Sequence, residues 1–165
     1  MKKDKIIIYT DGAARGNPGP AGWAAVILLG QNYGGQRSVH EIGGYVEHAT
    51  NNQMELTAPI EVLKYIKRHK IEAPLEIISD SQYVILGITK WIQNWMKNNW
   101  RNAAKKPVLN CELWEELYKL TKNLKIRWTY VKGHNENKNN ERADEIATSF
   151  ADGKKIRLKN KNKLF

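Results

Sequence analysis

The run Ile6-Ile7-Ile8 constrains this chain more than any other stretch. Three consecutive β-branched residues need apolar neighbours on both faces of an extended strand, so they predict a strand in the middle of a sheet. The run leads through Tyr9-Thr10 to Asp11-Gly12, then into Ala13-Ala14-Arg15-Gly16-Asn17-Pro18-Gly19-Pro20, which is dense in Gly and Pro. Asp11 is thereby placed at the end of a buried strand, where a side chain can leave the core and meet a ligand. Taken alone it could equally open a turn, because Asp-Gly is a common turn pair. The other acids of the chain bear on that choice.

Trp23 to Leu29 reads as a second strand, Gly34-Gly35 as a turn and Arg37 to Val46 as a third strand, an antiparallel meander. Thr50-Asn51-Asn52-Gln53 supplies N-cap chemistry for a helix that carries Leu56, Ile60, Leu63 and Ile66 and ends near His69. Glu55 lies in its first turns, beside the apolar stripe, where it can point towards the sheet. Pro59 lies inside this helix and deprives the Glu55 carbonyl of its donor, at a cost of ~3 kcal/mol, less in the first turn.

Leu75 to Ser79 reads as a fourth strand, and a strand–helix–strand connection predicts parallel pairing in the same sheet. Asp80 follows at once. Ligands gather outside the carboxyl ends of strands in open α/β sheets, and two acids in that position are hard to dismiss as turns.

Further on, Ser81 to Ile88 predicts a short helix and Asn110 to Asn123 a longer one with Leu113, Leu117 and Leu120 inward. Ile126 to Val131 predicts a fifth strand. Val131-Lys132-Gly133-His134 leads into a polar loop, Asn135 to Asn140. A last helix follows, with Ala143, Ile146, Ala147 and Phe150 on one face and Asp144 at its border in the opening turn. His134, in a polar loop, is not a core histidine.

The net charge is +10, with 27 basic and 17 acidic residues, and this excess favours a polyanionic partner, nucleic acid before membrane. Trp91 and Trp95 share a helix face, and Lys97, Arg101, Lys105 and Lys106 cluster just after them. The segment reads either as a nucleic-acid contact or as a Trp-packed helix with a solvated end. From Ala151 onward the apolar pattern stops, and Lys154, Lys155, Arg157, Lys159, Lys161 and Lys163 make a basic tail. The expected organisation is one domain over residues 1–150 and a flexible tail over 151–165, whose charge adds non-specific affinity for nucleic acid. No run approaches a membrane span, and the first apolar run is too short for a signal peptide. The single Cys111 rules out an internal disulfide and fits a reducing, cytoplasmic setting.

Asp11, Glu55, Asp80 and Asp144 come from two strand ends and two helix starts. If they converge, their like charges need a cation. Oxygen donors without a Cys or His cluster select Mg²⁺ or Mn²⁺ over zinc. Two such ions ~3.5–4 Å apart are the known device for phosphodiester hydrolysis, and His134 could then assist proton transfer or product release.

The segments Tyr9-Thr10-Asp11-Gly12 with Gly16-Asn17-Pro18-Gly19-Pro20, Thr50-Asn51-Asn52-Gln53-Met54-Glu55-Leu56, Asp80-Ser81-Gln82-Tyr83-Val84, and Val131-Lys132-Gly133-His134 with Asn140-Glu141-Arg142-Ala143-Asp144 resemble the signatures of bacterial-type ribonuclease HI. The likeness covers about residues 5 to 150. It implies an α/β fold: a five-stranded mixed sheet, three strands antiparallel and two parallel, flanked by helices and carrying a basic helical handle. It also implies endonucleolytic cutting of RNA paired to DNA, leaving 5′-phosphate and 3′-hydroxyl ends, by a monomer with two Mg²⁺ ions, Mn²⁺ being a possible substitute. The acid matching Asp11 bridges both ions, those matching Glu55 and Asp80 hold one, and that matching Asp144 holds the other.

In this family, residues matching Asn17, Asn51 and Gln82 contact the RNA strand, and the one matching Thr50 helps hold a DNA phosphate. The Trp91 to Lys106 segment resembles the handle, with Trp91 and Trp95 facing the DNA strand or bracing the handle. Asn98 and Asn99 stand where handles are often more basic. A binding module without catalysis, and a transposase or resolvase acting on DNA, are the competing readings. The first gives no reason for four acids at a binding surface, and the second has no need of contacts to 2′-hydroxyls.

Overall fold

The Ile6-Ile7-Ile8 run lies in the middle strand of the sheet. The structure, a computed structural model, describes residues 4–31, 37–133 and 136–159. Five strands, β1 (Ile6–Ala14), β2 (Gly19–Gln31), β3 (Arg37–Ala49), β4 (Leu75–Ser79) and β5 (Ile126–Tyr130), lie in the order β3-β2-β1-β4-β5. β2 is antiparallel to both β1 and β3, whereas β4 is parallel to β1 and β5 parallel to β4. β2 and β3 run further than predicted. Their ladder continues to Gly19↔Ala49, and Pro20, which has no N–H to give, falls at a register shift. The expected Gly34-Gly35 turn lies outside the described residues.

Each face of β1 is covered by a different helix. Ile6 and Ile8 pack with Leu56, Ile60 and Leu63 of α1 (Asn51–Arg68), and Tyr9 and Ala13 pack with Ala143, Ile146 and Ala147 of α5 (Lys138–Ala151). The start of α1 matches its N-cap chemistry. Thr50 Oγ1 accepts from the Gln53 N–H at 3.1 Å, and Gln53 Oε1 accepts from the Thr50 N–H at 2.9 Å. Pro59 is buried, and α1 runs through it to Arg68.

α2 (Gln82–Leu86) passes through a π-helical turn, Gly87–Trp91, into α3 (Ile92–Lys97), so the predicted short helix extends into the handle. A side chain on Gly87 would collide with the Trp114 ring of α4 (Cys111–Thr121). Trp114 and Leu117, rather than the Leu113-Leu117-Leu120 stripe, form the buried face of α4. Leu113 and Leu120 pack only at its margin.

α5 begins at Lys138, earlier than predicted, because Asn137 Oδ1 accepts from the Asn139 and Asn140 N–H groups and caps it. At its other end Gly153 adopts φ +66, and the Lys154 N–H reaches Ser149 O (2.9 Å) and the Gly153 N–H reaches Phe150 O (3.0 Å). The chain then departs from the expected solvated tail. Ile156 and Leu158 pack against the α5 cluster, and the Glu41 N–H donates to Lys159 O at 2.7 Å. Arg142 Nη2 donates to Arg157 O at 2.8 Å. The reason is two apolar residues alternating with lysines and an arginine, a period too short to register as a core pattern.

Candidate active site

Parallel pairing of β1 with β4 ends at Thr10↔Ser79. Asp11 and Asp80 are therefore each one residue beyond the last pair, where the ladder opens. Asp11 is not at the end of its strand, as predicted, because β1 continues to Ala14 by pairing with β2. It is buried all the same, at 4 % exposure.

Glu55 reaches this point from α1 because Gly12 lacks a side chain. A Cβ there would stand 2.5 Å from both the Glu55 nitrogen and the Met54 carbonyl carbon, so only glycine lets α1 close on β1. Oxygens of Asp11, Glu55 and Asp80 lie within 4.8 Å of one another, the group among the described residues suited to a cation. Asp144, half-buried on α5, is outside that trio but near enough for its charge to act on Asp11. It lies in the second turn of α5 rather than the opening turn, since α5 starts early. His134 lies outside the described residues.

Burial first, and then the charge of Asp80, push the Asp11 carboxyl up to about 7, although the Gly12 N–H donates to its Oδ1 at 2.8 Å. Burial and the charge of Asp11 hold Glu55 well above the usual carboxylate range. Glu55 Oε2 is buried with no hydrogen-bond partner. Desolvated carboxylates with an acceptor left over are the signature of a place completed by a positive ion. The donors are all oxygens, which suits a hard divalent cation.

One residue of this neighbourhood carries no predicted role. Asn140, 2 % exposed on the first turn of α5, donates from Nδ2 to Asp80 Oδ2 at 3.4 Å, and its own Oδ1 is buried without a partner. Its spacing of four from Asp144 puts both on one helix face, which was a readable signal.

The predicted substrate contacts fall into two groups. Near the acids, Asn17 Oδ1 accepts from the Asn51 N–H at 3.0 Å, and Asn51 Oδ1 accepts from the Ala14 N–H at 2.7 Å, which locks the loop to the start of α1. Thr50 caps α1 through its oxygen, and Gln82 is exposed on the first turn of α2. The second group is the handle. Trp95 braces it, with its ring 5.3 Å from Trp114 and 6.4 Å from Trp100, whereas Trp91 is 37 % exposed.

Arg101 bridges to Pro107 and Val108 N–H donates to Trp100 O at 3.0 Å, closing a loop on which Arg101, Lys105 and Lys106 are exposed, as is Lys97 at the end of α3. Asn99 has φ +53, a left-handed conformation that asparagine tolerates better than lysine, so it has a backbone role there.

The profile of the RNase H family matches residues 3–152. A protein of Thermosynechococcus vestitus named ribonuclease H is 47% identical over 152 residues, 92% of each chain. Among solved structures, LC9-RNase H1 superposes with a TM-score of 0.85 at 22% identity, over 98% of this chain and 80% of its own, a likeness of fold. LC11-RNase H1 in complex with an RNA/DNA hybrid gives a TM-score of 0.66 at 27% identity, over 90% of this chain and 97% of its own.

Proposed function

The chain belongs to the RNase H family and is an endonuclease of RNA–DNA hybrids, and we propose that it cuts the RNA strand with two Mg²⁺ ions held by Asp11, Glu55, Asp80 and Asp144. The observation that carries this reading is the trio of carboxylates at the parting of β1 and β4, with Glu55 Oε2 buried and unpartnered. Bound there, the ions would activate the attacking water and stabilise charge on the phosphate, giving 5′-phosphate and 3′-hydroxyl ends; Mn²⁺ would substitute. Asp11, buried beside Glu55 and Asp80 and within reach of the charge of Asp144, would help to hold both ions.

The chain's own residues hold the substrate. The side-chain oxygens of Asn17 and Asn51 are taken up within the protein, so their Nδ2 groups carry the donation to the RNA strand in the wide, shallow groove of the hybrid. Gln82 extends that contact. Thr50 uses its oxygen as an acceptor in the cap and keeps its hydroxyl proton for a DNA phosphate. Lys97, Arg101, Lys105 and Lys106 meet the DNA backbone from the handle, with Trp91 beside them. Trp95 supports the handle from beneath. His134 follows Gly133, where a side chain would meet Asp80 Oδ2 at 3.2 Å, and is assigned to proton transfer or product release.

The protein acts as a monomer in a reducing cytoplasm, in keeping with the free thiol of Cys111. Among the described residues no helix is long and apolar enough to cross a membrane. End-labelled RNA–DNA hybrid, RNA duplex, DNA duplex and single-stranded RNA, each with Mg²⁺ and with chelator, test the reading. Only the hybrid with Mg²⁺ should be cut. Cleavage of duplex DNA, or of the hybrid under chelator, would refute it.

A further inference from the structure

Between the start of β2, β3 and the C-terminal end of α5 lies a cavity of about 720 Å³. That is within the ~300–1,000 Å³ of small-ligand sites. Pro20, Tyr45, Phe150 and Ile156 give it apolar walls, and Lys154 and Lys155 stand on its rim. Tyr45 is 52 % exposed although it sits on a strand of the sheet, opposite Gly22, which offers no side chain to cover it. The Lys154 and Lys155 backbone is fixed by the turn at Gly153, so the two charges are presented rather than trailing.

Asp152 also lines the cavity, but Arg15 engages its carboxylate, with Nε on Oδ1 at 2.5 Å and Nη2 on Oδ2 at 3.0 Å. The acid therefore does not repel an anion there. Arg15 belongs to the same loop as Asn17, so the cavity continues the surface assigned to the RNA strand.

An exposed aromatic ring over an apolar floor, with two cations at the rim, matches a nucleotide: a base to stack and a phosphate to pair. A paired base is already stacked in its duplex. On the premise that the hybrid binds across the carboxylates, we propose that this cavity takes an unpaired nucleotide flanking the duplex, its base on Tyr45 and its phosphate on Lys154 and Lys155. The protein would then favour hybrids that end in a single-stranded extension over blunt ones.

Binding and cleavage are measured on a short hybrid, blunt or with an unpaired extension on each strand end in turn, carrying 2-aminopurine at the first unpaired position. One extension should quench the probe and tighten binding by about fivefold or more. Tyr45→Ala, and Lys154→Ala with Lys155→Ala, should remove both effects, Tyr45→Phe should retain them, and all should cut the blunt hybrid at saturating concentration at the rate of the unaltered protein. Equal affinity for every extension, or a gain that survives Tyr45→Ala, overturns the proposal. If the blunt hybrid is not cut, the catalytic reading fails instead, while the probe still reports whether the cavity fills.

Discussion

Asp11→Asn separates what the carboxylate cluster costs the fold from what it does. Asp11 is 4 % exposed, and burial with the charge of Asp80 moves its carboxyl from 3.8 to about 7. Its folded value is thus raised above its unfolded value. Between pH ~4 and ~7 the native protein binds more protons than the unfolded chain, so metal-free stability falls as pH rises through that window and then levels. The rise corresponds to on the order of 4 kcal/mol. Asparagine has nearly the same volume and no charge, its Oδ1 can keep the Gly12 N–H, and its Nδ2 offers a donor to Glu55 Oε2, which now has none.

With chelator present, Asp11→Asn should therefore be more stable than the unaltered protein by about 2–4 kcal/mol at pH 8, or ~5–15 °C in Tm, and nearly equal at pH 4. Thermal unfolding in EDTA across that range measures it. Millimolar Mg²⁺ should stabilise the unaltered protein and not the variant, narrowing the gap. In the same buffer, cleavage of the hybrid should fall below about a hundredth, because a metal ligand is lost. A variant that is less stable at pH 8, or equally stabilised at every pH, would refute the electrostatic argument; residual activity above that level would refute the bridging role.

Gly12→Ala should destabilise the protein by about 1–3 kcal/mol and weaken Mg²⁺ binding, because its Cβ meets α1 backbone at Glu55 that cannot yield; denaturant unfolding and calorimetric titration with Mg²⁺ check both. Asn140→Ala removes a donor to Asp80 and should lower Mg²⁺ affinity by ~10–100-fold, read from the Mg²⁺ dependence of Tm, with hybrid affinity under chelator unchanged. Glu41→Gln should cost about 3 kcal/mol, because Glu41, 1 % exposed, takes Arg142 Nε and Nη2 at 2.8 and 2.9 Å. Burial works to raise the Glu41 carboxyl, but Arg142 and the Lys159 N–H, which donates to Oε1 at 2.8 Å, together outweigh it and hold it below its usual value, so its stabilisation is present above the ordinary carboxylate range and lost as pH falls below it; acid unfolding should show that loss only in the unaltered protein.

Local chemistry was readable wherever a segment carries its own instructions. The Thr50–Gln53 capping box and the bounds of β4 follow from residues within reach of one another along the chain. What stayed hidden depends on contacts between distant segments. Trp114 is buried, over a leucine stripe that predicted otherwise, because Gly87 makes room for its ring and Tyr83 accepts its Nε1–H at 3.0 Å. The fate of residues 152–159 depends on Glu41 and Arg142, 101 positions apart in sequence. The spacing of Asn140 from Asp144 marks the helix face they share, but its partner depends on the approach of α5 to Asp80.

The placement of the acids follows from where the sheet parts. Thr10 and Ser79, the last parallel pair, are fully buried. A carboxylate at either position would be desolvated within the ladder and, since strand side chains alternate, turned to the opposite face. One residue further on, β1 keeps its pairing with β2 while β4 has ended, so Asp11 is held rigidly on one side and open on the other. Asp80 lies at the same level, half-buried, steadied by Asn140. Only there is a carboxylate buried enough to give up water and open enough to take a cation in its place. The stability forgone at that point is carried by the cores on either face, Ile8 with Leu56 and Leu63 beneath α1 and Val26 with Ile146 and Ala147 beneath α5, all fully buried.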